Sequence, residues 1–265
     1  MPAGFVVYDL LYFTLATLLY GGAAWAALRI RAALDGWPPL LAWPLAVLGG
    51  LLALIAEVGL LSALCPRLKP GRYAMMKGPV FWGWMFRSLL RRVLLLPSLK
   101  WVIYSSNVLR FLALRAMGAR LAFTASISAD VDLLDPSLMT IGPGAVIGAR
   151  CGLSGHYVEN GQLVIDEIRV GARALLAADV GVGPGCSIGA RAFIKPRSTL
   201  TIFVIVGEGA EVGPAALLDP RATVGKGAFI GSGGYVGARG VVPDGGRVEA
   251  MTSASSATSK AAPAV

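Results

Sequence analysis

The 265-residue chain has one histidine, His156, and three cysteines, Cys65, Cys151 and Cys186, none of them in CxxC spacing. A single imidazole excludes a three-histidine metal centre and any mechanism that needs two. An odd, scattered set of thiols excludes a disulfide framework and a thiolate metal site, and fits a reducing compartment; no metal ligands are assigned. Charge is scarce as well: 15% of residues are charged against 55% hydrophobic, with a mean hydropathy of +0.67. That balance is too apolar for a disordered chain or an ordinary soluble domain. Acidic residues are missing altogether from 67–120, where eleven Lys and Arg stand, so this stretch holds the formal excess of +9. Basic residues confined beside apolar runs point to anionic phospholipid. A nucleic-acid binder would spread them over a folded domain, so no nucleic-acid partner is expected. The Walker A loop, H-x-x-x-x-D, H-E-x-x-H and dinucleotide fingerprints are absent too.

Two long apolar runs are present, Phe5–Leu28 and Pro39–Leu64. Each exceeds the roughly 20 residues that cross a bilayer as a helix, so residues 1–66 read as a two-span transmembrane anchor. No basic segment precedes Phe5, so a cleaved signal peptide is not expected. Arg29, Arg31 and Asp35 occupy the connection, while Arg67, Lys69, Arg72 and Lys77 follow the second run. The positive-inside rule then places both ends on the cytoplasmic side of the inner membrane. Glu57, inside the second run, reads either as a functional carboxylate or as one satisfied locally against protein. Residues 67–123 interleave Trp82, Trp84, Phe86, Trp101 and Phe111 with Arg87, Arg91, Arg92, Lys100 and Arg110. This composition predicts interfacial helices, with Pro97 and Lys100 weighing against a third span over Val93–Leu114. The arginines read as lipid anchors or as ligands for a substrate phosphate.

From Val170 to Val242, thirteen aliphatic residues recur every six positions, among them Val182, Ile188, Ile194, Val206, Val224 and Ile230. The following residue is often Gly, as at Gly171, Gly189 and Gly225, and the residue two before is small, as at Ala174, Cys186 and Ala228. Neither a helix nor a flat strand requires a period of six. One aliphatic residue per flat face would fill a prism, with glycine relieving crowding and allowing positive φ at its corners. This pattern resembles the hexapeptide repeat of left-handed parallel β-helix proteins. The resemblance implies an all-β left-handed parallel β-helix over residues 124–248, in which Ile141, Ile147 and Leu153 supply an upstream coil. Residues 249–265, rich in Ala, Ser and Thr, read as a disordered tail.

The period fails between Leu153 and Val164, which are eleven residues apart. A loop, Ser154–Gln162, must leave the coil there, and it holds the sole histidine with Glu159 three residues on. An imidazole can take the proton of an attacking hydroxyl or amine, and a carboxylate can fix its tautomer. His156 as base and Glu159 as its orienting carboxylate are therefore the candidate catalytic pair, set against a surface histidine with an incidental neighbour. The stretch His156, Glu159, Gly161, following spans and an Arg/Trp-rich belt, is also similar to the membrane-embedded terminal region of ε-poly-lysine-synthetase-type nonribosomal peptide synthetases. This chain has no adenylation or carrier domain, so polymerisation does not carry over.

Membrane-associated O- or N-acyl transfer does follow from the resemblance. The donor would be acyl-CoA, acetyl-CoA first, or a carrier thioester, and it would be a co-substrate and not a resident cofactor. The acceptor would be a hydroxyl or amine on a lipid, or on a lipid-linked or polymeric molecule at the membrane. Homotrimers, with sites between neighbouring prisms, are implied as well. Lys195 and Arg197, in a hexad lacking the corner glycine, would meet the donor phosphates or else lie solvated at a corner. Asp130 and Asp132 would cap the first coil or orient the acceptor. The contrasting expectation is a non-catalytic β-helix displayed at the membrane for assembly or partner binding.

Overall fold

The computed structural model describes residues 3–254. The chain forms two compact units: Met1–Pro66 with Gly83–Gly118, and Arg67–Trp82 with Ala119–Val265. The basic belt is thus divided, its first part belonging to the repeat domain.

In the first unit, α1 (Ala3–Ala33) and α2 (Pro39–Leu64) form an antiparallel pair. Both are long and apolar enough to cross a membrane, and no other helix among the described residues is. Their backbones approach closely where side chains are smallest. A Cβ at Gly50 would lie 2.8 Å from the Ala23 carbonyl and 3.0 Å from the Ala27 Cβ, the small-residue contact that lets apolar helices pack. Large apolar side chains elsewhere face outward, as at Leu10, Phe13, Leu40 and Leu60. The helices α3 (Gly78–Leu94), α4 (Pro97–Ser105) and α5 (Asn107–Ala116) follow. Pro97 opens α4, since its missing N–H costs nothing in a first turn. Ser106 caps α5 by accepting from the Leu109 N–H. Split in this way, Val93–Leu114 cannot form one span.

The second unit is a parallel β-solenoid of seven coils with three faces, each a seven-stranded parallel sheet. The aliphatic positions of the hexads point inward and are buried, from Leu121 and Ile127 to Val242 and Val248. The last strand, Ser253–Ala254, pairs with Tyr235–Val236, so the solenoid continues past Glu249. The rest of the proposed disordered tail lies outside the described residues.

The corners work differently from the sequence expectation. Positive φ falls three residues after the aliphatic position, at Arg173, Asp179, Gly185, Arg191, Arg197 and Phe203 in succession, and more often on another residue than on glycine. The glycine directly after the aliphatic residue is needed for space. A Cβ at Gly225 would lie 2.4 Å from the Asp244 nitrogen and 2.5 Å from the Pro243 carbonyl carbon of the next coil. Backbone cannot yield as a side chain can. Gly225→Ala is therefore expected to destabilise the solenoid by about 1–3 kcal/mol. Gly209→Asn sits at φ +64 with nothing within 4 Å and should cost under about 1 kcal/mol, because Asn tolerates that conformation. Melting temperatures of the two variants, followed by circular dichroism, check the ranking.

Two extrusions interrupt the coils, both between a third-face strand and the next first-face strand. Leu133 to Ile141 spans eight residues in place of six, and the excess forms a 3-10 turn at Pro136–Leu138. Leu153 to Val170 contains a hairpin of His156–Glu159 and Gln162–Ile165. Its turn is Asn160-Gly161 with φ of 48° and 71°, the residue pair that such two-residue turns demand. The belt strand Gly71–Ala74 pairs antiparallel with Gln162–Ile165, which makes that strand the centre of a three-stranded sheet.

Candidate active site

Because the two extrusions leave the same edge in successive coils, they put Asp135 beside His156. Asp135 precedes the 3-10 turn and is 5% exposed. Its Oδ2 accepts the Gly155 N–H at 3.0 Å and lies 2.6 Å from His156 Nδ1. Burying a carboxylate is costly unless donors surround it; here a backbone N–H and an imidazole supply them. Ser154 Oγ donates to the His156 carbonyl at 2.7 Å and lies 3.4 Å from Nδ1. The base of the hairpin is closed by the Asp166 N–H on the Gly155 carbonyl at 2.9 Å. Gly155 is obligatory for space: a Cβ there would lie 2.8 Å from Leu138 Cδ1 and 3.2 Å from the Asp166 carbonyl. A carboxylate accepts only, so the Nδ1 facing it carries hydrogen and Nε2 presents its lone pair. The imidazole retains 22% side-chain exposure, enough for a substrate to reach it.

Glu159 does not fill the orienting role expected of it. The loop is a β-hairpin, and residues three apart on a strand project to opposite faces. Glu159 therefore turns away from His156, pairs with Arg72 at 3.4 Å and accepts from Tyr157 Oη at 3.4 Å. The carboxylate at Nδ1 is Asp135, which the sequence reading missed; the eight-residue step from Leu133 to Ile141 was its signal.

Lys195 and Arg197 are not brought to His156. Lys195 pairs with Glu211 on the second face and lies 5.7 and 5.8 Å from the Phe193 and Phe229 ring centroids. Arg197 sits on the edge between the second and third faces, in line with Asp130, Arg150 and Asp179. Acid and base alternate there over four successive coils. Arg150 clamps Asp179 through Nε and Nη2 at 2.7 and 2.8 Å, and this bidentate bond holds the Asp179 carboxyl below its ordinary pKa. Asp130 is held low chiefly by the Ser128 hydroxyl at 2.8 Å. It belongs to this ladder, on a different edge of the solenoid from His156. Asp132 lies on the outer side of a third-face strand.

The edge carrying His156 continues through Gly185, Phe203, Arg221 and Arg239, one residue per coil. Corner N–H groups regularly donate to the preceding coil, as Phe203 does to Pro184 and Arg221 to Ile202. At Gly185 the preceding corner is replaced by the hairpin, and its N–H has no acceptor in the chain among the described residues. The Phe203 ring rests against Gly185, and the Arg221 guanidinium lies 5.5 Å from that ring's centroid. The site thus combines an oriented imidazole, a neighbouring free N–H donor and a cation farther along one edge. Among the described residues, no three His, Cys, Asp or Glu gather as a metal site.

No family model and no curated protein matches the chain. The similarity to ε-poly-lysine-type synthetases is accordingly not shown by any comparison. Solved structures do show likeness. A hexapeptide transferase family protein from Anaplasma phagocytophilum is 21% identical, covering 52% of this chain and 75% of its own, with a TM-score of 0.41. The acetyltransferase domain of PglB from Neisseria gonorrhoeae, solved with acetyl coenzyme A, is 20% identical, with coverage of 59% and 66% and a TM-score of 0.41. A UDP-N-acetylglucosamine acyltransferase from Francisella novicida is 18% identical, with coverage of 53% and 52% and a TM-score of 0.42. The chain thus spans about half the length of the last. Likeness of this degree concerns the repeat fold and carries no reaction with it.

Proposed function

We propose that the chain is a membrane-anchored acyltransferase that moves an acyl group from an acyl thioester to a hydroxyl or amine of a membrane-associated acceptor. The contact of Asp135 with His156 Nδ1 at 2.6 Å carries the reading. It orients the imidazole on an extruded hairpin, which supports a role as base, while the hexapeptide pattern supplies the resemblance to acyltransferases.

Nε2 takes the proton as the acceptor oxygen or nitrogen attacks the thioester carbonyl, and Asp135 stabilises the imidazolium that forms. The carbonyl oxygen gains negative charge, for which the unpaired Gly185 N–H one coil on is an available donor. The intermediate collapses with cleavage of the C–S bond, and the proton on Nε2 passes to the departing thiolate. The donor is acyl-CoA, acetyl-CoA first. Its phosphates find a cation at Arg221, three coils from His156 on the same edge, or about 14 Å at 4.7–4.9 Å per coil. That position suits them better than Lys195 or Arg197.

The two apolar helices support anchoring, and the basic residues after α2 support a cytoplasmic solenoid. The test is release of free thiol from acetyl-CoA by the detergent-solubilised full chain, with and without an extract of membrane lipids, the product being followed by mass spectrometry. Acceptor-dependent release with a matching acylated lipid is the expected result. No release, with no shift of melting temperature by acetyl-CoA, would leave a non-catalytic display module.

A further inference from the structure

The first unit contains a groove of about 410 Å³ between the first turns of α1 and the end of α3. Its polar part is formed by Arg91 and Arg92 with Tyr8, and its apolar part by Phe13, Leu95 and Leu96. Arg92 Nη1 donates to Tyr8 Oη at 3.1 Å, and the guanidinium lies 5.7 Å from that ring's centroid, so the cation is held in place. The Nε of Arg91 is buried without a hydrogen-bond partner. With Nε shut off from solvent, an oxyanion in the groove would meet this guanidinium through its terminal nitrogens. Asp9 also lines the groove and is exposed; against two guanidiniums it leaves one net positive charge.

The groove's apolar wall continues onto outward-facing side chains of α1, where Val6, Leu10 and Phe13 are 49%, 63% and 65% exposed. A soluble anion has no use for such a wall, whereas an acyl chain does. Tyr8 stands at the start of the first candidate span. Since α1 and α2 are antiparallel, that end of α1 is level with the end of α2, where the basic stretch begins. If the helices span the bilayer, the two arginines lie at headgroup depth, where guanidinium is suited to bidentate phosphate contact.

We infer that this groove holds one lipid with an anionic phosphoester headgroup, its phosphate oxygens on Arg91 and Arg92 and an acyl chain along Leu10 and Phe13. The inference rests on the membrane part of the proposed function and is independent of the acyl-transfer step.

The full chain, delipidated in detergent, is titrated with phosphatidylglycerol or phosphatidylcholine, and bound lipid is counted by native mass spectrometry. The wild type is expected to retain phosphatidylglycerol at a concentration at least about tenfold below that needed by Arg91→Gln/Arg92→Gln, and by a smaller factor below Tyr8→Phe. Arg92→Gln alone changes one exposed side chain and guards against misfolding of the double variant. It should still weaken retention severalfold at an unchanged melting temperature. Equal retention by wild type and variants, or no preference over phosphatidylcholine, overturns the site. Inorganic phosphate, read by its shift of the melting temperature, should bind at least tenfold more weakly than the lipid; equal or tighter binding would make this a soluble-anion site and overturn the lipid. Flotation with neutral vesicles tests the membrane reading separately, since its failure leaves the binding comparison in micelles intact.

Discussion

His156→Ala is expected to lower the acceptor-dependent turnover of acyl thioester by about 10²–10⁴-fold, the usual contribution of a positioned general base. The Michaelis constants for donor and acceptor should move little. His156 is the only histidine in the chain, so no second imidazole can substitute. Its ring is partly exposed, and deleting it leaves Asp135 still hydrogen-bonded by the Gly155 N–H. The melting temperature should therefore stay close to that of the wild type, so that lost activity reports chemistry and not unfolding. His156→Gln sharpens the test, because an amide can donate to Asp135 and keep the hairpin seated while offering no base. Both variants should be equally inactive. Activity within threefold of wild type in either one removes His156 from the reaction.

What the sequence disclosed and what it hid follow from the range of the interactions concerned. The six-residue period is a local property: each inward Val, Ile or Leu is dictated by the face it fills, so the solenoid was legible along nearly its whole length. Of the two reasons for the corner glycines, relief of crowding holds and positive φ does not; the source of the crowding at Gly225 was hidden because it lies in residues of the next coil, 18 and 19 positions away. The extrusion at His156 was legible as a break in the period, and Asn160-Gly161 marks it as a hairpin. Treated as an open loop, it made His156 and Glu159 look like neighbours, which strand alternation forbids. The strand Gly71–Ala74 finds its partner some ninety residues on, and nothing in those four residues announces it. The Asp130–Arg150–Asp179–Arg197 ladder has intervals of 20, 29 and 18 residues. Those are one coil turn lengthened first by the two-residue and then by the eleven-residue extrusion, so the row emerges only when both are in register.

Asp135→Asn should cost nearly as much activity as loss of the histidine, about 10²–10⁴-fold, whereas Glu159→Gln should leave the rate within threefold of wild type. The carboxylate at 2.6 Å requires hydrogen on Nδ1. An asparagine that turns its amide nitrogen to Nδ1 moves the ring hydrogen to Nε2 and removes the lone pair that accepts the substrate proton; one that keeps its oxygen there, on the Gly155 N–H as well, still withdraws the charge that stabilises the imidazolium. A wrong tautomer of this kind is what makes such a substitution severe without moving any atom far. Asp135→Ala adds a stability loss of about 1–3 kcal/mol, because the Gly155 N–H is left buried without an acceptor. Glu159, by contrast, takes part in an ion pair with Arg72 whose side chains are 54% and 46% exposed, and such pairs are worth about 0–1 kcal/mol. If Asp135 acts only through His156, the double variant His156→Ala/Asp135→Asn should be no slower than His156→Ala alone, since residues acting as one unit are not additive. A further loss in the double variant would give Asp135 a task of its own in the reaction. The reverse ranking, Glu159→Gln inactive and Asp135→Asn active, would mean that the hairpin rearranges when substrate binds and that the 2.6 Å contact belongs to the unliganded chain alone.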